Sequence, residues 1–195
     1  MQLIWDIDKQ YGFVNIEPRQ YGLDYFKKYV DYANTPMGEK LTQARIDFVN
    51  RTHKGELLDV GVGSGHFVMH REKTFGFDIN ETAVKLLQSL GLYEDIHDPF
   101  EAYSFFDSFE HIEDPSPLLR EMGKGTLIFL SIPMFRDVQH ALNSKHFRRD
   151  EHYWYFTPHG LIRYMLDHGF VCVDVDNFEI RTGREDIMSF AFRKS

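Results

Sequence analysis

A chain of 195 residues is long enough for one domain around one sizeable core. A formal net charge of −8 excludes sequence-independent nucleic-acid binding driven by an overall basic surface. The single cysteine, Cys172, excludes an intramolecular disulfide and a thiolate-rich zinc site. The N-terminal stretch MQLIWDIDKQ carries charges early, and no segment has the continuous apolar length of a membrane span. A cytoplasmic protein without a membrane partner is the expectation. Aromatic residues at 15%, with 18 Phe, point to an aromatic-rich core.

In chain order, the first stretch of about 20 residues reads as irregular or as a short strand. Residues from about 22 to 31 read as a helix. Thr35-Pro36 is a helix start, an N-cap hydroxyl followed by proline, and Met37, Leu41, Ala44 and Phe48 keep one apolar face. LLDV then reads as a buried strand, HFVMHREK as a short helix and TFGFDIN as a second strand. Asn80 caps a helix that carries Ala83, Val84, Leu87 and Leu90 and stops at Gly91. LYEDIH is expected as a third strand and EAYSFFDSF as a fourth, followed by the short helix PSPLLREM and the strand TLIFLSI. Thr157-Pro158 opens a last helix ending at Gly169, and FVCVDVDNFEI and DIMSFAFRK alternate like two antiparallel strands. The alternation predicts an α/β fold: a doubly wound, mostly parallel, Rossmann-like sheet with a terminal antiparallel strand pair.

Three alternating glycines, Gly61, Gly63 and Gly65, follow the first buried strand directly. Glycine loses the most backbone entropy on ordering, so the pattern implies a turn that brings the backbone close to a ligand. In open sheets, ligands lie beyond the carboxyl ends of the strands, where a following helix presents its N–H groups. Asp78 ends the second strand about 20 residues beyond Asp59, the position from which a carboxylate accepts hydrogen bonds from ribose hydroxyls. Together these features describe a pocket for an adenosine-containing ligand. NAD-binding sheets share this logic, so the loop alone leaves a dehydrogenase open.

The order of several motifs is more specific. ELLDVGVGSGHF resembles motif I of class I S-adenosylmethionine-dependent methyltransferases, and TFGFDIN resembles their acidic second motif. FEAYSFFDSFEHIEDPSPLL, FLSIP and HYWYFTPHGLIRYMLDHGF are similar to later motifs of the subgroup that holds ubiquinone O-methyltransferases and many sugar and small-molecule methyltransferases. The resemblance runs over about residues 55 to 193, and the terminal strand pair matches that family and not the dehydrogenases. It implies S-adenosylmethionine as cofactor and a small-molecule acceptor methylated at O, N or C. It implies that Asp59, Gly61, Gly63 and Gly65 shape the methionine and ribose side, that Asp78 holds the ribose hydroxyls and that Ile79 packs on adenine. Asp95 and Ile96 would flank the adenine, with Asp98 as the substitute. Phe106 and Asp107 would sit beside the methionine portion. The short segment between the third and fourth strands departs from the family pattern. A non-catalytic adenosine-binding module is the reading of a different class.

Asp107, Glu110 and His111 cluster after the fourth strand, and three readings stay open. They are structural, with Asp107 receiving the cofactor's amino group; or His111 is a general base; or the three hold a divalent metal, as the similar spacing in ubiquinone and small-RNA methyltransferases implies, with His146 or His152 adding a ligand. Residues 1–54 are expected as a helical cover of the core at 55–195, and residues 136–156 as a cap insert supplying acceptor contacts. Arg148 and Arg149 in the basic run Lys145-His146-Phe147-Arg148-Arg149 could clamp an anionic acceptor, which keeps nucleic acid open as a partner. Oligomeric state is not legible.

Overall fold

The computed structural model describes residues 2–17 and 21–195. Two short strands, β1 (Ile4–Asp6) and β2 (Tyr11–Phe13), precede two helices, α1 (Leu23–Ala33) and α2 (Pro36–Asn50). The alternation follows as β3 (Leu57–Val60), α3 (His66–His70), β4 (Thr74–Phe77), α4 (Glu81–Leu90), β5 (Ala102–Phe106), a 3-10 turn (Phe109–His111), α5 (Ser116–Glu121) and β6 (Leu127–Pro133). Then come α6 (Val138–Asn143), β7 (Trp154–Phe156), α7 (Pro158–Asp167), β8 (Phe170–Asp176), α8 (Phe178–Arg181) and β9 (Ile187–Lys194).

Six strands form the main sheet in the order β4-β3-β5-β6-β9-β8. The first four run parallel, and β9 lies antiparallel between β6 and β8. Strands β3, β5 and β6 are buried along their whole length, which is why they read as continuous apolar runs rather than alternating ones. Phenylalanines dominate the interior: Phe105, Phe129, Phe190 and Phe192 are all fully buried. The predicted doubly wound, Rossmann-like sheet with its antiparallel end is therefore the fold. No helix among the described residues is long and apolar enough to cross a membrane.

The helix punctuation follows from side-chain chemistry. Gly38 N–H donates to Thr35 Oγ1 at 3.1 Å, Thr82 N–H to Asn80 Oδ1 at 2.9 Å and Gly160 N–H to Thr157 Oγ1 at 3.0 Å, so each predicted cap engages. Gly91 ends α4 in the left-handed region. At Gly38 a Cβ would lie 2.3 Å from the Tyr32 carbonyl oxygen, so only glycine lets α2 pass this close to the end of α1. That contact fixes where α1 lies.

Three expectations are corrected. LYEDIH is not a strand: it contributes one isolated bridge, Gly76 to Tyr93. Its acids take the backbone instead. Asp95 N–H donates to Asp98 Oδ2 at 3.1 Å and His97 N–H to Asp95 Oδ1 at 3.0 Å, so side-chain turns replace the ladder. The eighth strand stops at Asp176, and Phe178–Arg181 coil into a helical turn that carries Glu179 inward. Residues 136–156, expected as a cap insert, are partly built into a sheet instead. Their end is strand β7, which pairs with β2 in a second sheet of order β1-β2-β7.

Candidate functional site

A cavity of about 530 Å³ opens beyond the carboxyl ends of β3, β4 and β5, within the usual range for small-molecule sites. Asp59, Gly61 and Gly63 line it from the first turn, and Asp78, Ile79 and Asn80 from the second. Phe106, Asp107, Ser108 and His111 line the side after β5. Tyr21, Tyr25 and Tyr29, spaced four apart on and just before α1, form the opposite wall.

The glycine turn has two causes. Gly61, Gly63 and Gly65 all have φ in the left-handed region, at 80°, 55° and 75°. At Gly61 a Cβ would also meet Ser108 Cβ at 2.6 Å, because the loop after β5 packs directly on the turn and Ser108 Oγ donates to the Val60 carbonyl. Gly61 is thus required by a protein contact as well as by its backbone. Gly65 is the N-cap of α3 and does not line the cavity.

Asp78 is oriented by Asn80 N–H, which donates to Oδ1 at 2.8 Å, and by Gly63 N–H, which donates to Oδ2 at 3.3 Å. Burial raises its pKa and these backbone donors oppose the rise. Burial pushes the Asp59 carboxyl up to about 7, against the lowering effect of the Ser104 hydroxyl, which donates to it at 2.5 Å. Ile79 stands exposed at the rim. Ile96 and His97 line the adenine-side candidate region, whereas Asp95 does not, since its carboxylate is committed to the turn.

Asp107 is held by two arginines. Arg45 Nη2 reaches Oδ2 at 2.7 Å, and Arg184 grips both oxygens, Nη1 on Oδ2 at 2.9 Å and Nη2 on Oδ1 at 3.0 Å. Burial alone would raise the pKa of Asp107, but Arg184 and Arg45 outweigh it and hold the carboxylate well below its ordinary range. A carboxylate so held is a weak base. Both arginines also pair with the fully buried Glu179, Arg45 through Nε at 2.9 Å and Arg184 through Nη1. Asp107 itself sits at φ 60°, a strained conformation for a non-glycine residue that this clamp stabilises.

His111 faces the cavity, and the Tyr21 hydroxyl lies 3.2 Å from its Nδ1. Behind it the His152 ring packs edge-on with centroids 4.6 Å apart. Burial lowers the pKa of both histidines, so both are neutral near pH 7. Glu110 is buried beside them, and its Oε2 has no hydrogen-bond partner. Burial, then the charge of Asp107, pushes its carboxyl well up.

None of residues 136–156 lines the cavity. Arg148 pairs with Glu151 at 2.8 Å, and the Arg149 guanidinium lies over the Phe147 ring at 5.2 Å. His146 Nε2 lies 2.9 Å from the Glu185 carbonyl, and His140 lies 3.6 Å from Asp186. The predicted arginine clamp is therefore not assembled, and the α1 tyrosines take the wall expected of the insert. Sequence reasoning missed this wall and both arginines. Tyr21-x3-Tyr25-x3-Tyr29 was a legible helical stripe, and Arg45 was a charge on the buried stripe of Leu41 and Phe48. Arg184, in a loop, carried no signal.

A glycine turn and an acid, each at the end of a parallel strand and facing one cavity, form the arrangement in which open α/β sheets bind nucleoside ligands. Residues 29–175 match the methyltransferase-domain family, so the chain belongs to that family. No match was found among curated proteins. Solved structures share the fold at low identity. A SAM-dependent methyltransferase of Thermotoga maritima, described as a possible histamine N-methyltransferase, is 14% identical with TM-score 0.63, over 88% of this chain and 97% of that one. The magnesium protoporphyrin IX methyltransferase of Synechocystis PCC 6803, with bound S-adenosylhomocysteine, is 11% identical with TM-score 0.58, over 91% and 90%. The cyclase SpnF is 13% identical with TM-score 0.58, over 97% and 87%, so the fold also carries a protein named for a different reaction.

Proposed function

We propose that the chain transfers a methyl group from S-adenosylmethionine to an oxygen, nitrogen or carbon nucleophile of a small-molecule acceptor, in the manner of the ubiquinone O-methyltransferase-like subgroup it resembles. The observation that carries the reading is Asp78, oriented by two backbone N–H groups at the rim of a cavity floored by the Gly61–Gly63 turn, in a chain of the methyltransferase-domain family. The cofactor supplies a methyl group on a sulfonium leaving group, so the protein's task is alignment. Asp78 holds the ribose hydroxyls, Gly61 and Gly63 let the backbone approach, and Gly65 starts the helix whose N–H groups face the site. Ile79 and Ile96 sandwich the adenine, with Asp95 acting only through its turn. Asp59 faces the methionine ammonium, and Phe106 packs beside the methionine chain. Asp107 is a positioning residue, and His111 is the catalytic residue on the acceptor side, where the tyrosine wall closes over the nucleophile.

Titrating S-adenosylhomocysteine and NAD into the protein tests the ligand class. Tight binding of NAD in place of S-adenosylhomocysteine sinks the reading. Labelled methyl transfer to a panel of acceptors tests catalysis, and binding without turnover across the panel leaves a ligand-binding module. Asp78→Ala is expected to weaken S-adenosylhomocysteine by about 1.5–3 kcal/mol, roughly 10- to 150-fold, with the fold intact. Unchanged affinity in calorimetry takes Asp78 out of the ribose site.

The raised pKa of Asp59 gives a pH dependence. The folded protein keeps a proton that the unfolded chain releases at the ordinary aspartate value, so this group costs stability as pH rises from there toward about 7. Ligand binding runs the opposite way, because an ammonium needs the ionised carboxylate. Affinity for S-adenosylhomocysteine should rise about tenfold between about pH 6 and about pH 8, and Asp59→Asn should flatten the profile. A flat profile in the unmutated protein places the ammonium elsewhere.

A further inference from the structure

We propose that His66 and His70 bind one divalent transition-metal ion in the groove between α2 and α3. The two residues stand four apart on one face of α3, and their ring centroids lie 4.0 Å apart. Nitrogens bonded to one metal at about 2.1 Å lie at most about 4.2 Å from each other, so rings this close share an ion after small rotations. On each ring Nδ1 is already engaged. His70 Nδ1–H donates to the His66 carbonyl at 2.7 Å, which leaves the lone pair on Nε2. Thr42 Oγ1 lies 3.1 Å from His66 Nδ1. A fixed partner on one ring nitrogen, with the other left for the ion, is the arrangement that orients histidine ligands.

Both rings line one groove with Glu39 and Thr42 of α2. Burial, then the charge of a protonated His70, lowers the pKa of His66, and Glu39 opposes the drop. Two protons on this pair are disfavoured, and one ion between the lone pairs replaces them. A pair that resists protonation suits a cation rather than a phosphate, although Lys40 lines the same groove. Among the described residues no carboxylate or cysteine completes a three-residue set with the two rings, so Glu39 adds negative charge and water takes the remaining positions. Imidazole ligands suit copper, nickel, cobalt and zinc, whereas magnesium and calcium prefer oxygen. His70 is exposed and His66 half-buried, so the ion enters from solvent. His66 and Thr42 also line the large cavity, so an ion here fixes one ring of its wall without touching Asp107 or His111.

The inference stands apart from the methyl-transfer reading and is tested without turnover. The whole chain is stripped with chelator and titrated with copper(II), with affinity read by calorimetry. His66→Ala and His70→Ala should each lower copper affinity about tenfold or more, toward the weak binding of a lone surface histidine. His146→Ala and His152→Ala, remote from the groove, should retain it. Affinity should also fall as pH drops from about 7.5 to about 5.5, because the ligand nitrogens must be free of protons. Copper bound to the unmutated protein should show coupling to two nitrogens in electron paramagnetic resonance, a readout independent of how the variants fold. No uptake, uptake untouched by His66→Ala and His70→Ala, an equal loss in His152→Ala, or fewer than two coupled nitrogens overturns the assignment. Inorganic phosphate bound by the unmutated protein and lost in His70→Ala makes the groove an anion site and overturns it as well.

Discussion

Glu179→Gln should destabilise the fold by about 3–5 kcal/mol, read as a shift in the midpoint of chemical denaturation. Glu179 is wholly buried, and its carboxylate faces both Arg45 and Arg184, which also share Asp107. The four groups balance, two cations against two anions. Glutamine preserves the shape and removes one negative charge, leaving a surplus cation beside a wholly buried side chain. The double variant Glu179→Gln with Arg45→Met restores the balance and should recover part of the loss, a departure from additivity that marks a true charge effect. A loss below about 1 kcal/mol, or strict additivity, means that water reaches the cluster and screens it.

His111→Ala should lower methyl transfer about 10²- to 10⁴-fold, the range for losing a positioned proton acceptor. S-adenosylhomocysteine affinity should stay within about threefold, because His111 lines the cavity from the loop after β5, whereas Asp78 and the glycine turn line it from the ends of β4 and β3. The split is diagnostic: falling turnover with steady affinity belongs to the acceptor step, whereas a parallel fall in both shows that the loop after β5 has collapsed. His111→Gln, which keeps hydrogen-bonding capacity toward Tyr21, should separate lost chemistry from lost packing. Turnover of His111→Ala at the unmutated level removes this residue from catalysis.

What was legible in the sequence was what local rules dictate. The caps at Thr35, Asn80 and Thr157 and the buried runs of β3, β5 and β6 depend on neighbours a few residues away. The cofactor-side candidates were legible for the same reason, since a glycine turn and a strand-end acid are local chemistry. LYEDIH misled because its apolar content suggested a strand while Asp95 and Asp98 were bonding to nearby N–H groups. The acceptor side was least legible. Asp107 meets Arg45 and Arg184 from opposite directions along the chain, and only the assembled fold brings them together. Aromatic and basic density drew attention to residues 136–156, but Arg148 spends its charge on Glu151, three positions away.

The small sheet that joins β2 to β7 also constrains the order in which the molecule can be built. Tyr11 stands opposite Phe156, so this pairing closes a loop of roughly 145 residues, at a chain-entropy cost on the order of 4 kcal/mol if nothing in between is ordered. That cost falls once the parallel sheet has brought the two ends near each other, so the seam between β2 and β7 forms after the sheet it spans. The tyrosine wall hangs between that seam and α2. The walls of the cleft built by the glycine turn and Asp78 thus need only short-range turns, and the tyrosine wall is completed last.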